Sequence, residues 1–147
     1  MLLRIHKILS DMSVDWIAIG SLALSLYNIL PEETELDILI STDKHLDVHT
    51  ALARESVTLR PPTYLETKYF VANVSYYLMD LVSVKVYSGL IIKLKEGLIN
   101  PSFAELLAFS NTLSHLGAKI FVAPLEWLYL YYLAYPYREE IIESVLK

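Results

Sequence analysis

Gly20 and Ser21 stand between an apolar run, Val14 to Ile19, and a helix-forming run, Leu22 to Leu30. Glycine permits a tight backbone turn, and a serine at a helix start can cap it by accepting from an orphan amide. The same free amides and hydroxyl, at the positive end of a helix dipole, can instead receive a phosphate group. Both readings fit these two letters. Further on, Asp37 is the acid inside the strand-forming run Leu36 to Ile40. A carboxylate placed there is a candidate ligand for a hard cation such as magnesium, which prefers oxygen donors. Residues two apart on a strand share a face, so the next side chain along on the face of Asp37 is Leu39, which ligates nothing.

These groups must be held by the elements around them. Leu2 to Met12 has the spacing of an amphipathic helix, with Leu2, Ile5, Leu9 and Met12 on one face. Val14 to Ile19 and Leu36 to Ile40 read as buried strands around the helix Leu22–Leu30, which Pro31 stops. Thr42 or Asp43 caps a polar helix running to about Glu55, and Pro61 and Pro62 mark a loop. Tyr69 to Leu78 and Val82 to Tyr87 form a hairpin turned near Asp80. Ser102 caps a helix Phe103 to Phe109, a smaller hairpin pairs Thr112–His115 with Lys119–Val122 around Gly117, and the end is helical over Leu125–Ala134 and Tyr137–Leu146. No repeat or linker interrupts the order. The expectation is one domain over residues 1–147, of α+β class, with a mixed β-sheet flanked by helices and closed by C-terminal helices.

The ordered set resembles the minimal nucleotidyltransferases, the small members of the DNA polymerase beta superfamily. The segment VDWIAIGSLALSLYNILPEETELDILIST is similar to their opening, VSYYLMDLVSVKVYSG to the hairpin that follows, and IFVAPLEWLYLYYLAYPYREEIIESVL to their closing pattern. The resemblance implies a nucleotidyltransferase-like fold in which Gly20 and Ser21 hold a triphosphate and Asp37 is the first of two metal-binding acids spaced one residue apart. Two magnesium ions roughly 3.5–4 Å apart stabilise the attacking and leaving oxygens in such a transfer. A third acid sits on the strand after the hairpin turn. Aligned by its Ser88-Gly89 end, that strand puts Lys85 at the matching position; in another register Asp80 faces Asp37. The resemblance thus implies an incomplete acid set, with Asp37 and Asp80 as the catalytic ligands if the chain is active. Beside Asp37, the Lys85 ammonium would replace a cation in an internal ion pair; on an exposed face it would contribute only about 0–1 kcal/mol.

Composition sets further bounds. With 147 residues and 54% apolar content the chain can bury a sizeable core, and the absence of cysteine excludes disulfides and thiolate metal sites. A net charge of −5 with scattered lysines and arginines argues against general nucleic-acid binding. The most apolar stretch, Ile120 to Tyr135, falls short of the roughly 20 residues that a spanning helix needs. A soluble, cytoplasmic protein is expected. His45 and His49 share a helix face but find no evident third ligand, so solvated histidines are the expectation there. The tyrosines number eleven. Trp127, Tyr129, Tyr131, Tyr132 and Tyr135 spread over more than one face of their helix, which suggests an interface with a second copy or a helical partner beside the alternative of plain core packing.

Three functions follow. The first is a degenerate nucleotidyltransferase fold, non-catalytic and retained for nucleotide binding or assembly. The second is an active enzyme that moves a nucleotide from ATP or another nucleoside triphosphate with magnesium. The third is one subunit of a two-protein system with a helical partner.

Overall fold

In a computed structural model, which describes residues 1–29 and 35–133, the chain runs α1 (Leu2–Asp11), β1 (Trp16–Ala18), α2 (Gly20–Leu26), β2 (Glu35–Ile40), a 3-10 turn (Thr42–Lys44) and α3 (His45–Ala53). It continues with β3 (Val57–Glu66), β4 (Phe70–Met79), β5 (Val82–Leu94), β6 (Gly97–Ile99), α4 (Phe103–Phe109), β7 (Asn111–His115), β8 (Ala118–Val122) and α5 (Leu125–Leu133). The strands make one mixed sheet in the order β3-β4-β5-β2-β1-β8-β7, with β6 added to the end of β5. The pairs β2–β5 and β1–β8 are parallel and the others antiparallel. The expected α+β class with a mixed sheet and flanking helices is the one observed. No helix among the described residues is long and apolar enough to cross a membrane. The expected helix Tyr137–Leu146 and the position of Tyr135 lie outside the described residues.

Local chemistry explains most boundaries. The face of α1 that carries Leu2, Ile5 and Leu9 is buried, each such side chain contributing about 1.5–3 kcal/mol. Ser102 accepts from the Glu105 amide at 3.1 Å and its hydroxyl donates to Glu105 Oε1 at 3.1 Å, which fixes the start of α4. The β4–β5 turn is Asp80–Leu81, with φ of 47° and 69°. Two left-handed residues match the twist of a tight hairpin.

Three expectations are corrected. The helix α2 starts at Gly20 with Ile19 as its N-cap and no side-chain cap bond, so Ser21 lies in the first turn rather than capping it. It ends at Leu26, where left-handed Asn28 (φ 62°) turns the chain and the Ile29 amide donates to the Leu24 carbonyl at 2.9 Å. Pro61 and Pro62 lie inside β3, not in a loop. The strand is at the edge of the sheet and its register shifts between Thr58 and Arg60 and again between Arg60 and Thr63, the irregular edge setting in which proline does not cost a ladder bond.

The third concerns the histidines. The helix α3 turns His45 inward, where Nδ1 is 2.7 Å from Ser88 Oγ and Nε2 is 2.9 Å from Ser75 Oγ. Neutral imidazole has one donor and one acceptor, and each serine supplies the complement. His49 Nδ1 is 2.8 Å from the hydroxyl of the fully buried Tyr77. Burial lowers the His45 pKa to about 4, with His49 adding to the effect, and burial raises that of Tyr77 against a bond from Ser75. These are structural ties between α3 and the sheet, not solvated side chains.

Candidate functional site

The site is built where β1 gives way to α2. The Ile19 amide donates to the Asp37 carbonyl at 3.0 Å, extending the β1–β2 ladder by one bond and bringing Gly20 against Asp37. A Cβ at residue 20 would stand 2.6 Å from Asp37 Oδ2, and the residue has φ of 59°, so only glycine fits. The Asp37 carboxylate is buried at the first turn of α2, the end of a helix where negative charge is favoured.

On the other side of Asp37 lies β5. The parallel pair places Asp37 opposite Lys85 and Leu39 opposite Tyr87. Of the two registers open to the sequence, the structure has the one with lysine beside Asp37. Asp80 lies beyond the end of β5 and does not line the cavity with Asp37. It occupies the hairpin turn and accepts from Arg4 Nη1 at 3.1 Å, so it is not part of this cluster.

A small cavity of ≈150 Å³ opens between these elements, lined by Gly20 and Ser21 from α2, Asp37 and Glu35 from β2, and Lys85 and Tyr87 from β5. Tyr131 and Tyr132 of α5 close it. The residues expected as phosphate pair, Gly20 and Ser21, as metal ligand, Asp37, and at the third acid position, Lys85, therefore line one cavity. Glu35 is the residue that sequence reasoning missed. It precedes Asp37 by two positions, shares its face, and its Oε1 is 3.7 Å from Lys85 Nζ. The signal was the acid-x-acid spacing itself, met one step upstream of Asp37 rather than downstream at Leu39. Lys85 is 30% exposed and Glu35 48%, so their pair stands at the mouth of the cavity rather than sealed within it.

The aromatic residues of α5 face inward. Trp127 and Tyr131 stack with centroids 5.3 Å apart, and Tyr132 meets Tyr131 edge-on at 5.1 Å. Trp127, Tyr131 and Tyr132 are buried and Tyr129 is half-buried, so three of the residues expected at an interface are covered by the chain itself. Tyr131 and Tyr132 meet residues of β2 and β5 around the cavity, and Trp127 lies near Leu106 of α4, so this short helix buries more than one stripe.

The arrangement is that of a known fold. A provisionally assigned nucleotidyltransferase from Thermotoga maritima superposes with a TM-score of 0.76 at 21% identity, over 99% of this chain and 88% of that one. The chain has the nucleotidyltransferase fold. ANT(2″)-Ia, solved with adenylyl-2″-tobramycin, matches with a TM-score of 0.64 at 10% identity, over 99% of this chain and 83% of that one. The solution structure of the same antibiotic-resistance factor gives 0.61 at 9% identity, over 99% and 78%. No protein-family model matches the sequence, and no curated protein does.

Against that fold's requirement, the donor set can be tested. Glu35 and Asp37 offer hard oxygens suited to one divalent cation. The residue opposite Asp37 on β5 brings an ammonium, Lys85, rather than a further carboxylate.

Proposed function

We propose that this chain binds a nucleoside triphosphate by its phosphates, together with one divalent cation, and does not carry out nucleotide transfer. The observation that carries this reading is Lys85 opposite Asp37 in the β2–β5 register. Two carboxylates and one ammonium leave the cavity at minus one, and one divalent cation turns that to plus one. Three carboxylates with two divalent cations reach the same balance, so the lysine replaces an acid and a metal together and preserves the attraction for phosphate. What it removes is the second cation, the one that would stabilise the second of the two oxygens in an in-line displacement. The cation held by Glu35 and Asp37 would supply charge neutralisation for the phosphates. Gly20 lets the backbone approach closely, Ser21 offers a hydroxyl, and Lys85 a point charge.

The adenylyl-2″-tobramycin bound to ANT(2″)-Ia makes ATP the first nucleotide to test. Titration calorimetry with ATP is expected to give binding that magnesium strengthens, EDTA weakens and Asp37→Ala abolishes, with no pyrophosphate released. Absence of binding under every condition would end the nucleotide reading. A second reading, a working transferase, is favoured by one observation, the Glu35-x-Asp37 spacing on a single face. Pyrophosphate release by the unaltered chain in the presence of an acceptor would establish it over the first.

A further inference from the structure

The cavity is too small for the whole of a nucleotide. Ligand pockets run to roughly 300–1,000 Å³, and this one, at ≈150 Å³, admits the phosphate end alone. The rest of any ligand must lie outside, and the open sheet face shows where.

Lys85 is opposite Asp37 on one side and Tyr76 on the other, and Tyr76 is in turn opposite Arg60. Residues opposite one another in a sheet share a face, so Asp37, Lys85, Tyr76 and Arg60 form a row across four strands, leading from the cavity toward the β3 edge. The contacts confirm the row. Lys85 Nζ is 5.7 Å from the Tyr76 ring centroid and Arg60 Cζ is 5.4 Å from it, so both cations are held by one ring within cation–π range. Arg4, Lys85 and Lys93 each have a carboxylate partner; among the described residues no ion pair engages Arg60. Arg60 stands between the two register shifts of β3, immediately before its two prolines.

We propose that this row is a second nucleotide subsite, so that the ligand is a short single-stranded nucleotide chain whose terminal phosphate enters the cavity at Gly20 and Ser21. The inference rests on the phosphate-binding reading above and extends it. From Lys85 to Arg60 is two strand spacings, about 10 Å, a span suited to one nucleotide unit. Lys85 then meets the terminal phosphate, Arg60 the next phosphodiester, and the flat guanidinium and the Tyr76 edge provide a surface for the intervening base. A net charge of −5 and a patch of this size suit a few nucleotides rather than a duplex.

The test is fluorescence anisotropy of the full chain with a labelled, 5′-phosphorylated tetrauridylate in magnesium, run beside ATP. The unaltered chain is expected to bind both. Arg60→Gln should weaken the tetranucleotide by about tenfold and flatten its log–log salt dependence by about 0.7, while ATP affinity changes less than about twofold. Tyr76→Leu should act in the same direction, and Lys95→Gln, in the turn between β5 and β6, should act on neither ligand. ATP binding without tetranucleotide binding would overturn this inference and leave the phosphate reading standing. Equal losses from Arg60→Gln and Lys95→Gln, or none from Arg60→Gln, would overturn it as well. If neither ligand binds, both readings fail together.

Discussion

The strands β4 and β5 carry polar side chains on both faces, and the two faces use them differently. On one, Ser75, Tyr77 and Ser88 are buried and matched with His45 and His49 of α3. On the other, Tyr76 and Lys85 are half-exposed, charged or aromatic, and open beside a cavity that contains two carboxylates. Alternation along the strand assigns each residue to one face or the other. A polar residue on this sheet is structural where the chain completes its hydrogen bonds and available for ligand where solvent does so.

The comparison breaks most visibly with pH. His45 is buried in neutral form with a pKa lowered from 6.5 to about 4, so the unfolded chain binds the extra proton between those values. Its contribution is fully present above pH 6.5 and is lost as pH falls toward 4, on the order of 3 kcal/mol over that window. Chemical denaturation at a series of pH values should show that loss, and His45→Gln should flatten it. Binding of ATP measured between pH 7 and 8 should be the same in this variant, since His45 is bonded to Ser75 and Ser88 on the face away from the cavity. A loss of nucleotide affinity matching that of Asp37→Ala would erase the distinction between the faces.

Gly20→Ala should come next. A left-handed conformation costs an L-residue about 1–2 kcal/mol, and here the added Cβ would also press on Asp37 Oδ2. A drop of that order in unfolding free energy, with ATP binding lost, is expected by denaturant titration and calorimetry. Unchanged stability would mean that Asp37 moves aside freely.

The smallest effect on stability belongs to Lys85. Its pair with Glu35 is partly exposed, so Lys85→Met should change unfolding free energy by no more than about 1 kcal/mol while weakening ATP. Lys85→Asp should raise magnesium affinity in the absence of nucleotide, read by calorimetry, because it supplies a third carboxylate. If the methionine variant were destabilised as strongly as acid destabilises the unaltered chain, Lys85 would belong with the buried, structural set.

Much of the chain was legible one element at a time. The helix Phe103–Phe109, the hairpins turned at Asp80 and Gly117, and the strand around Asp37 follow from turn residues, a capping serine and alternation, all of which act within a few residues. The resemblance found Gly20, Ser21 and Asp37, and they meet. Glu35 carries the acid-x-acid spacing upstream of Asp37, where Leu39 interrupts it downstream. His45 and His49 could not be placed from their neighbours, because helical spacing gives a shared face and not what that face meets.

The sequence by itself determined the order of the elements, the Gly-Ser turn and the carboxylates on one face of β2, because dihedral preference, capping and side-chain alternation are local. Only the tertiary structure decided that Lys85 rather than Asp80 stands beside Asp37, that Arg60 and Lys85 share Tyr76, and that three aromatic side chains of α5 are covered. Those depend on strand register and packing between distant segments, where a shift of one residue moves a side chain to the opposite face.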